Sequence, residues 1–434
     1  LFQKHIKGRI RMNKKWTMPE GFIEKEAKNE ALRCLSCKNP RCETGCPTHM
    51  RIKDFIQELK KDNLAGAYDI INSCSDLPYI CSIVCPHEKQ CIGHCVLGIQ
   101  GKPIDCGRLE RYVVENMNKP IAKENKSNRK VAIVGAGPAG ISCAKELLKA
   151  GCSVEIFEAT SYFGGVLTYG IPSYRLDYSR VKRIEEELVS LGAVIHYNKH
   201  LKESEILELK KDFDDIFISI GLTKSKRLGI PNENITEVYD ALEYLKAVNL
   251  DIKFGEGSRP KLSGTVIVIG AGNVAMDAAR CAVRDGAKVL VVYRRSRLEA
   301  PATKHEIAEA EAEGVIFQFL NAPVEVIGKD KVTGLKVEEM CLGEPDASGR
   351  RRPVGTGKYC EISCNAIISA IGQDPEDIYD LGSFKTDYKY LVCDELETSI
   401  KGIYAGGDIV LGAKTVVEAM ACGRKVAQKI LDSR

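Results

Sequence analysis

One stretch limits the fold of this chain more than any other. Residues 130–158 read KVAIVGAGPAGISCAKELLKAGCSVEIFE. Val131 to Val134 is an apolar run fit for a buried parallel strand. It stops at Gly135-Ala136-Gly137-Pro138-Ala139-Gly140, a G-x-G-x-x-G turn. A helical pattern to about Ala150 and a second apolar run ending at Glu158 follow. Strand, glycine turn, helix, strand and acid in that order form the fingerprint of a dinucleotide-binding βαβ unit. Gly135 permits the tight turn. Gly137 lets a pyrophosphate approach the backbone, and Gly140 lets helix and strand pack closely. The helix N-terminus offers free N–H groups and a positive dipole end to phosphates. Glu158 stands where an acid can accept a hydrogen bond from a ribose hydroxyl.

The pattern recurs. Val266 to Ile269 ends in Gly270-Ala271-Gly272-Asn273-Val274-Ala275, with alanine in the third glycine position. A helix carrying Asp277 runs to about Asp285, and a strand follows from Lys288 to Tyr293. That strand ends in Arg294-Arg295-Ser296-Arg297 rather than in an acid. An acid there would repel a 2′-phosphate, whereas arginines grip one bidentately. The second unit is therefore expected to take NADP(H), with Arg294 and Arg295 at the phosphate. Lys288 and Arg284 read as surface charges.

Between the two units, residues 163–176 (FGGVLTYGIPSYRL) read as a loop pressed on a flat ligand, with Gly165, Leu167 and Arg175 as candidate contacts. Tyr178 to Leu191 is a helix pattern, and Asp215 to Ile220 a strand ending at Gly221. Pro301 to Glu313 reads as a charged helix. Val324–Val337 and Tyr359–Ile371 read as strands joined by a loose, turn-rich loop containing a solvated Arg350–Arg352 run, and the chain then returns through Gly372. A strand ending in Gly406-Gly407-Asp408 places a carboxylate for flavin ribityl hydroxyls. Thr415-Val416-Val417-Glu418 opens the last helix as a capping box. Its positive dipole end suits the negative charge of a reduced flavin.

The cysteines are the compositional anomaly. Of 18, ten precede residue 110. One ladder is Cys34-x2-Cys37-x4-Cys42-x3-Cys46-Pro47, and the other is Cys81-x3-Cys85-Pro86-x5-Cys91-x3-Cys95. Helical patterns lie before and between them, at Ile23–Leu32, Ile52–Leu59 and Leu64–Asn72. Thiolates this close repel unless a cation or cluster lies among them. The Cys-Pro endings match iron–sulfur ladders, while a lone C-x2-C pair is a poor match for zinc. Eight cysteines would supply two [4Fe–4S] clusters, so spacing alone nominates all eight. Cys74 and Cys106 fall outside the ladders and read as core thiols. The later cysteines, Cys143, Cys152, Cys281, Cys341, Cys360, Cys364, Cys393 and Cys422, read as buried small hydrophobes. No close pair among them supports a thioredoxin-reductase-like disulfide chemistry.

Composition narrows the classes further. With 434 residues there is room for two or three domains. A net charge of +4 gives no argument for nucleic acid, and no apolar stretch approaches a membrane span. The start, LFQKHIKGRIRMNKK, is basic without the apolar core of a secretory signal. Without an initial Met the chain reads as a trimmed or partial product. A reducing cytoplasm suits so many thiols.

Taken together, the ladders, GAGPAG, GGVLTYGIPSYRL, GAGNVAMD, YRRS and AGGD resemble the glutamate synthase small (β) subunit family. That family includes the N-terminal part of dihydropyrimidine dehydrogenase and the large subunit of NADH-dependent ferredoxin:NADP oxidoreductase. The resemblance covers nearly the whole chain, with Leu298-Glu299-Ala300-Pro301 as a departure where relatives tend to carry Met before the Pro. It implies an α/β fold behind an all-α domain. A helical domain with two [4Fe–4S] clusters would occupy 1–127, with residues 123–130 as a linker. An FAD-binding domain would occupy 128–236 and 373–434, interrupted by an NADPH-binding domain at 237–372. It further implies that Cys34, Cys37, Cys42 and Cys95 hold one cluster. Cys46, Cys85, Cys91 and Glu110 would hold the other, leaving Cys81 out, against the all-cysteine count. The implied reaction passes a hydride from NADPH to FAD and then single electrons through the clusters to a partner subunit. No side-chain acid or base is required. Other readings are the large subunit of an electron-bifurcating ferredoxin:NADP reductase, the electron-input part of a pyrimidine reductase, and a redox sensor with structural nucleotides.

Overall fold

The computed structural model describes residues 18–120, 127–347, 349–375, 382–387 and 390–433. The basic start and residues 123–126 of the expected linker lie outside them. Six helices come first: α1 (Glu24–Arg33), α2 (Arg41–Thr44), α3 (Ile52–Lys60), α4 (Leu64–Cys74), α5 (Pro78–Val84) and α6 (Cys106–Asn116). Each has a local cause. Ile52, Phe55, Ile56 and Leu59 recur at helical spacing, and all four are buried on one face of α3. Asn63 caps α4 by accepting from the Gly66 N–H, and Asp105 caps α6 by accepting from the Arg108 N–H. Pro78, whose missing N–H costs nothing in a first turn, starts α5.

A parallel βα layer follows: β1 (Lys130–Val134), α7 (Pro138–Lys149), β2 (Ser153–Phe157), α8 (Val166–Tyr169), α9 (Tyr178–Ser190), β3 (Val194–His196), α10 (Glu203–Glu208) and β4 (Asp215–Ile218). Next come β5 (Val238–Asp240), α11 (Ala241–Phe254), β6 (Thr265–Ile269), α12 (Asn273–Arg284), β7 (Lys288–Tyr293), α13 (Lys304–Ala312) and β8 (Ile316–Phe319). An antiparallel arm of β9 (Asn321–Gly328), β10 (Val332–Pro345) and β11 (Arg351–Ser363) precedes β12 (Ala366–Ser369). The chain ends with β13 (Ile403–Ala405), α14 (Asp408–Leu411) and α15 (Val416–Asp432).

The chain forms two compact units. One holds Pro19–Ile171, Arg175–Lys224 and Gly372–Arg434; its parallel sheet runs β13-β4-β1-β2-β3. The other holds Pro172–Tyr174 and Ser225–Ile371, with a parallel sheet β5-β12-β6-β7-β8 and the arm β9-β10-β11. The second unit is inserted into the first, and each sheet carries one glycine turn. No helix among the described residues is long and apolar enough to cross a membrane.

The loose loop expected between residues 337 and 359 is mostly strand. Val332–Pro345 pairs with Arg351–Ser363, leaving a short turn, and register shifts at Glu338/Met340 and Leu342/Pro345 absorb the irregular residues. Both faces of β11 are largely open to solvent, so Cys360 is exposed, as is Cys341 across the pair. Neither is the buried hydrophobe expected from sequence.

In the first unit the helical segment and the nucleotide fold share a core. Leu77, Ile80 and Val84 of the α5 segment are buried with Ile141, Ala144 and Leu148 of α7 and with Met420 of α15. Each such side chain contributes about 1.5–3 kcal/mol on burial. α15 lies close on α7: a Cβ at Gly423 would come within 2.1 Å of the Ala139 carbonyl oxygen. Beside this apolar contact sits a buried polar lock. Asp76, in the α4–α5 turn, accepts from Ser142 Oγ at 2.5 Å, and its backbone carbonyl accepts from Lys145 Nζ at 3.2 Å. Lys149 Nζ lies 3.3 Å and Arg424 Nε 3.6 Å from its carboxylate. Burial alone would raise the Asp76 pKa, but Lys149, Glu146, Arg424 and Ser142 hold it below the ordinary aspartate value.

Removing that carboxylate strips Lys149 and Arg424 of their buried acid and leaves them to share the partly exposed Glu146. Asp76→Ala is expected to destabilise the unit by about 3–5 kcal/mol, whereas Asp69→Ala, whose partner Lys119 is exposed, should cost under about 1 kcal/mol. Denaturant unfolding of both variants measures the difference.

Candidate functional site

At the first glycine turn, β1 ends at Val134 and Gly135 takes a φ of +104°. A Cβ there would also come within 2.6 Å of the Ser219 carbonyl oxygen. Gly140 faces the same limit more severely, 2.1 Å from the Gly135 oxygen. Gly137 differs: it precedes the first residue of α7, and nothing lies within 4 Å of where its Cβ would be. The turn is thus packed beneath and open above, a cradle that a side chain would fill. Pro138 and Ala139 begin α7, whose first-turn N–H groups have no intrahelical partners.

Glu158 closes this cradle. It is buried, accepts from the Ala136 N–H at 2.9 Å through Oε2, and accepts from the Thr160 N–H at 2.8 Å through Oε1. The 163–170 segment lies on the same turn. The Gly164 N–H donates to the Ala136 oxygen, and a Cβ on Gly165 would stand 3.1 Å from Gly137 Cα. Leu167 is buried within the short α8, and Arg175 is half-buried. Gly221 has a φ of +68° with open space at its Cβ, and Gly372 a φ of +124°.

After β13, Gly407 reaches a φ of +74°, and its Cβ position is 3.1 Å from Ala139 Cβ, so the Gly-Gly-Asp end meets the start of α7. Burial pushes the Asp408 carboxyl up to about 6, against the one backbone N–H of Lys414 that it accepts at 3.3 Å. A carboxylate desolvated this far gains from any further hydroxyl donor. Thr415 and Glu418 form the capping box: Glu418 Oε2 accepts from the Thr415 N–H at 2.9 Å, and Val416 begins α15.

The second glycine turn repeats the first in the other unit. Gly270 has a φ of +124°, and a Cβ there would be 2.3 Å from the Ala370 oxygen. Gly272 precedes α12, and Asn273 and Val274 supply its first turn. Asp277, one turn on, is buried and accepts from the Tyr174 hydroxyl at 3.2 Å.

The two candidate arginines part company here. Arg294 is exposed. Arg295 is buried and already committed: Nε donates to the Arg351 carbonyl at 2.9 Å and a terminal nitrogen to Asp346 at 2.6 Å. It braces the arm rather than standing free for an anion. Its partner Asp346 sits in the turn that the sequence left without a structural task. Arg284 is also corrected. It is not a surface charge; it lies 3.7 Å from the Tyr174 ring centroid and pairs with Glu313. Lys288 is exposed as expected.

The ladders fold into two neighbouring groups. Cys34, Cys37, Cys42 and Cys95 line one cavity, together with Ile52 and Cys106. Burial, then the charges of Glu43, Cys95 and Cys34, pushes the Cys42 thiol up to about 12. The second group gathers at α5 and α6. Cys85 lies against Cys81, Glu110 and Cys91, and its thiol is pushed up first by the Cys81 hydrogen bond and then by burial. Cys46 feels the charge of Cys91. Glu110 Oε1 is buried without a hydrogen-bond partner, and burial, then Cys81, Cys91 and Cys74, drives its carboxyl well above the usual range.

Such a set is costly as bare thiols and carboxylate, and it fits ligands that a cationic core would ionise. Among the described residues no three His, Cys, Asp or Glu side chains converge on a single-ion position. Cys106 is the core thiol expected, 4% exposed, and it also lines the first cavity. Cys74 is half-buried, near Glu110.

Comparison with known proteins gives these groups a context. Residues 11–121 match the family described as dihydropyrimidine dehydrogenase domain II, 4Fe-4S cluster, and residues 129–423 match pyridine nucleotide-disulphide oxidoreductase. The chain is 35% identical to the glutamate synthase [NADPH] small chain of Escherichia coli (strain K12), across 95% of this chain and 92% of that one. It is 37% identical to the NADP(+)-dependent formate dehydrogenase subunit beta of Moorella thermoacetica, across 90% of this chain and 59% of that one. The solved structure of Mycobacterium tuberculosis FprA in complex with NADPH shares the fold, with a TM-score of 0.61, 20% identity, and coverage of 70% of this chain and 84% of that one. A 4Fe–4S cluster segment followed by interleaved nucleotide-binding folds, and this identity over nearly the full length, make the chain a member of the glutamate synthase small-chain family of oxidoreductases.

Proposed function

We propose that this protein is an NADPH-dependent FAD and iron–sulfur oxidoreductase that passes electrons singly to a partner subunit. The observation that carries the reading is α5. The helix is buried in the same core as α7, the helix of the first glycine turn, and Cys85 follows its last residue. When bound, FAD takes a hydride from NADPH and releases electrons one at a time, and [4Fe–4S] clusters carry them.

The residues divide the work of binding. In the first unit, Gly135, Gly137, Pro138, Ala139 and Gly140 cradle the FAD pyrophosphate, and Glu158 accepts from its ribose. Gly165, Leu167, Arg175, Gly221 and Gly372 border the flavin, Gly407 and Asp408 hold the ribityl chain, and the Thr415–Val416 start of α15 faces the pyrimidine edge. In the second unit, Gly270, Gly272, Asn273 and Val274 hold the NADPH pyrophosphate, with Asp277 supporting the helix. Arg294 grips the 2′-phosphate, and Arg295 sets the arm beside it.

Cys34, Cys37, Cys42 and Cys95 hold one cluster; Cys46, Cys85, Cys91 and Glu110 hold the other. Glu110 is favoured over Cys81 because its buried Oε1 has no hydrogen-bond partner. The second group, built at α5, would hold the cluster set against the flavin fold, and the Cys34 group the one beside the exposed Leu35 and Val96.

The partner and compartment follow from chemistry and kinship. Eighteen free cysteines suit the reducing cytoplasm. Relatives carry the names small chain and subunit beta, which supports a large subunit of glutamate synthase type as acceptor. A formate-dehydrogenase-type or ferredoxin-linked complex is the second reading, favoured by the 37% identity to the Moorella subunit.

Anaerobic preparations are expected to contain about one flavin and roughly eight irons per chain; iron below roughly four, or a colourless protein, overturns the two-cluster assignment. Glu110→Ala should lower iron toward roughly four per chain and change the low-temperature paramagnetic resonance of the reduced protein, with Cys81→Ser leaving both intact. Arg294→Ala should raise KM for NADPH about tenfold, the value of one charge-assisted hydrogen bond, without changing KM for NADH. Steady-state kinetics with a dye acceptor reads this directly.

A further inference from the structure

Beside the Cys34 group, the surface has a composition that the binding of cofactors does not explain. Leu35 and Val96 line the cavity of Cys34, Cys37, Cys42 and Cys95, yet Leu35 is 60% exposed and Val96 36%. Ile99, one turn beyond Val96 on the 3₁₀ segment Val96–Gln100, is 81% exposed. Residues three apart eclipse on a 3₁₀ helix, so Val96 and Ile99 present one apolar face. The C-terminal end of α1 is tied to this segment, because Arg33 donates to the Lys102 carbonyl at 2.5 Å. Apolar side chains this exposed, grouped at a redox cavity, need a cover in use.

The charges around them share a sign. Lys38 and Lys102 are exposed, and among the described residues neither side chain has an ion-pair partner. Arg41 and Lys53 line the cavity itself and are likewise unpaired there. The near acids are Glu43, whose Oε1 accepts from the Lys53 backbone N–H, and Glu30, which pairs with Arg33 and accepts from the Asp105 N–H. Elsewhere in this helical segment several cations are matched, Lys28 with Asp62, Arg51 with Asp54, Lys61 with Glu58 and Arg111 with Glu115, while Arg108 lies over the Phe22 ring.

Cys34, Cys37, Cys42 and Cys95 are each partly exposed at this surface; in the second group Cys46 and Cys85 are partly exposed and Cys91 is buried.

We propose that the rim formed by Leu35, Val96 and Ile99 within the Lys38, Arg41, Lys53 and Lys102 cations is the docking face for an acidic redox protein, which takes electrons there. The proposal rests on the oxidoreductase reading above and adds the place and charge of its exit. An apolar centre excludes water where the electron crosses, and a ring of one sign steers the partner. A second copy of this chain does not fit, because it would set the same cations against one another.

Two soluble haem proteins of opposite charge test it as probes: the acidic soluble domain of cytochrome b5 and the cationic cytochrome c. The wild-type protein is expected to reduce cytochrome b5 faster at low salt, with a rate that falls as salt rises. The double variant Lys38→Glu/Lys102→Glu should lower kcat/KM for cytochrome b5 about tenfold and raise it for cytochrome c. Ile99→Ser should lower kcat/KM for both. These variants should keep the wild-type iron content and rate of flavin reduction by NADPH. Carbodiimide, which joins lysines to carboxylates in contact, should link cytochrome b5 to Lys38 or Lys102. Unchanged probe preference in the double variant, or cross-links confined to other lysines, overturns the docking face. A wild-type protein whose flavin is not reduced by NADPH overturns instead the reading beneath it.

Discussion

Two chemistries with opposite needs meet at α5. The helix must bury an apolar side to hold the helical segment on the nucleotide fold, and in the proposed assignment its end offers Cys85 as a ligand. The stretch from Leu77 to Cys85 does both, because Leu77, Ile80 and Val84 pack with the helices of the nucleotide fold while Cys85 caps the last turn. Apolar contact alone does not set orientation tightly. Asp76 adds direction: it stands one residue before the Leu77 N-cap of α5 and bonds at once to Ser142, Lys149 and Arg424 on two helices. A buried carboxylate with several partners tolerates little displacement, since each lost bond leaves a charge desolvated. The spacing between a ligand group and the glycine turn is thereby fixed by electrostatics as well as by packing.

That rigidity matters because the ligand groups would otherwise be liabilities. Burial lifts the thiols of Cys42 and Cys46 and the carboxyl of Glu110 above their ordinary values, and Cys81 followed by burial lifts the thiol of Cys85. Protonated, they are poor ligands; ionised without a counter-charge, they repel. A multinuclear cationic core resolves both problems by supplying charge at several points. The same reasoning explains why the groups interleave along the chain. Cys46 closes the first ladder but feels Cys91, and Cys95 closes the second but lines the cavity of Cys34, Cys37 and Cys42. In the proposed assignment this crossing would tie each ladder to both centres, so that neither centre could form without the whole segment folding.

Legibility in the sequence followed the range of the interactions. The glycine turns were readable because their demands are local: Gly135, Gly140 and Gly270 are each limited by a backbone atom that a βαβ unit always brings there. The ladders were readable because spacing within a ladder is a chain property. What sequence could not show was pairing across the chain. Arg295 looked equal to Arg294 until Asp346, 51 positions away, took it. Arg284 looked solvated until Tyr174 and Glu313 covered it. Cys106 read rightly as a core thiol, but its place on the wall of the Cys34 cavity was not legible, because much of that wall comes from residues 34–56. The arm defeated its expectation for another reason: Gly343, Pro345, Gly355 and Gly357 are turn residues by propensity, yet an antiparallel pair with register shifts carries them as strand.

Burial and charge together also give the helical segment a direction. On the side of α5, the acid Asp76 is fully buried and neutralised by cations from α7 and α15. On the side of the Cys34 cavity, Lys38, Arg41, Lys53 and Lys102 have no acid of their own. Folding stability would favour neutralising both sides, since unpaired surface charge of one sign repels itself. Only one side is neutralised, and it is the side closed by packing within the unit. The asymmetry is what a carrier requires: a fixed, dry entrance where distance must not vary, and an open, charged exit where an acceptor must come and go.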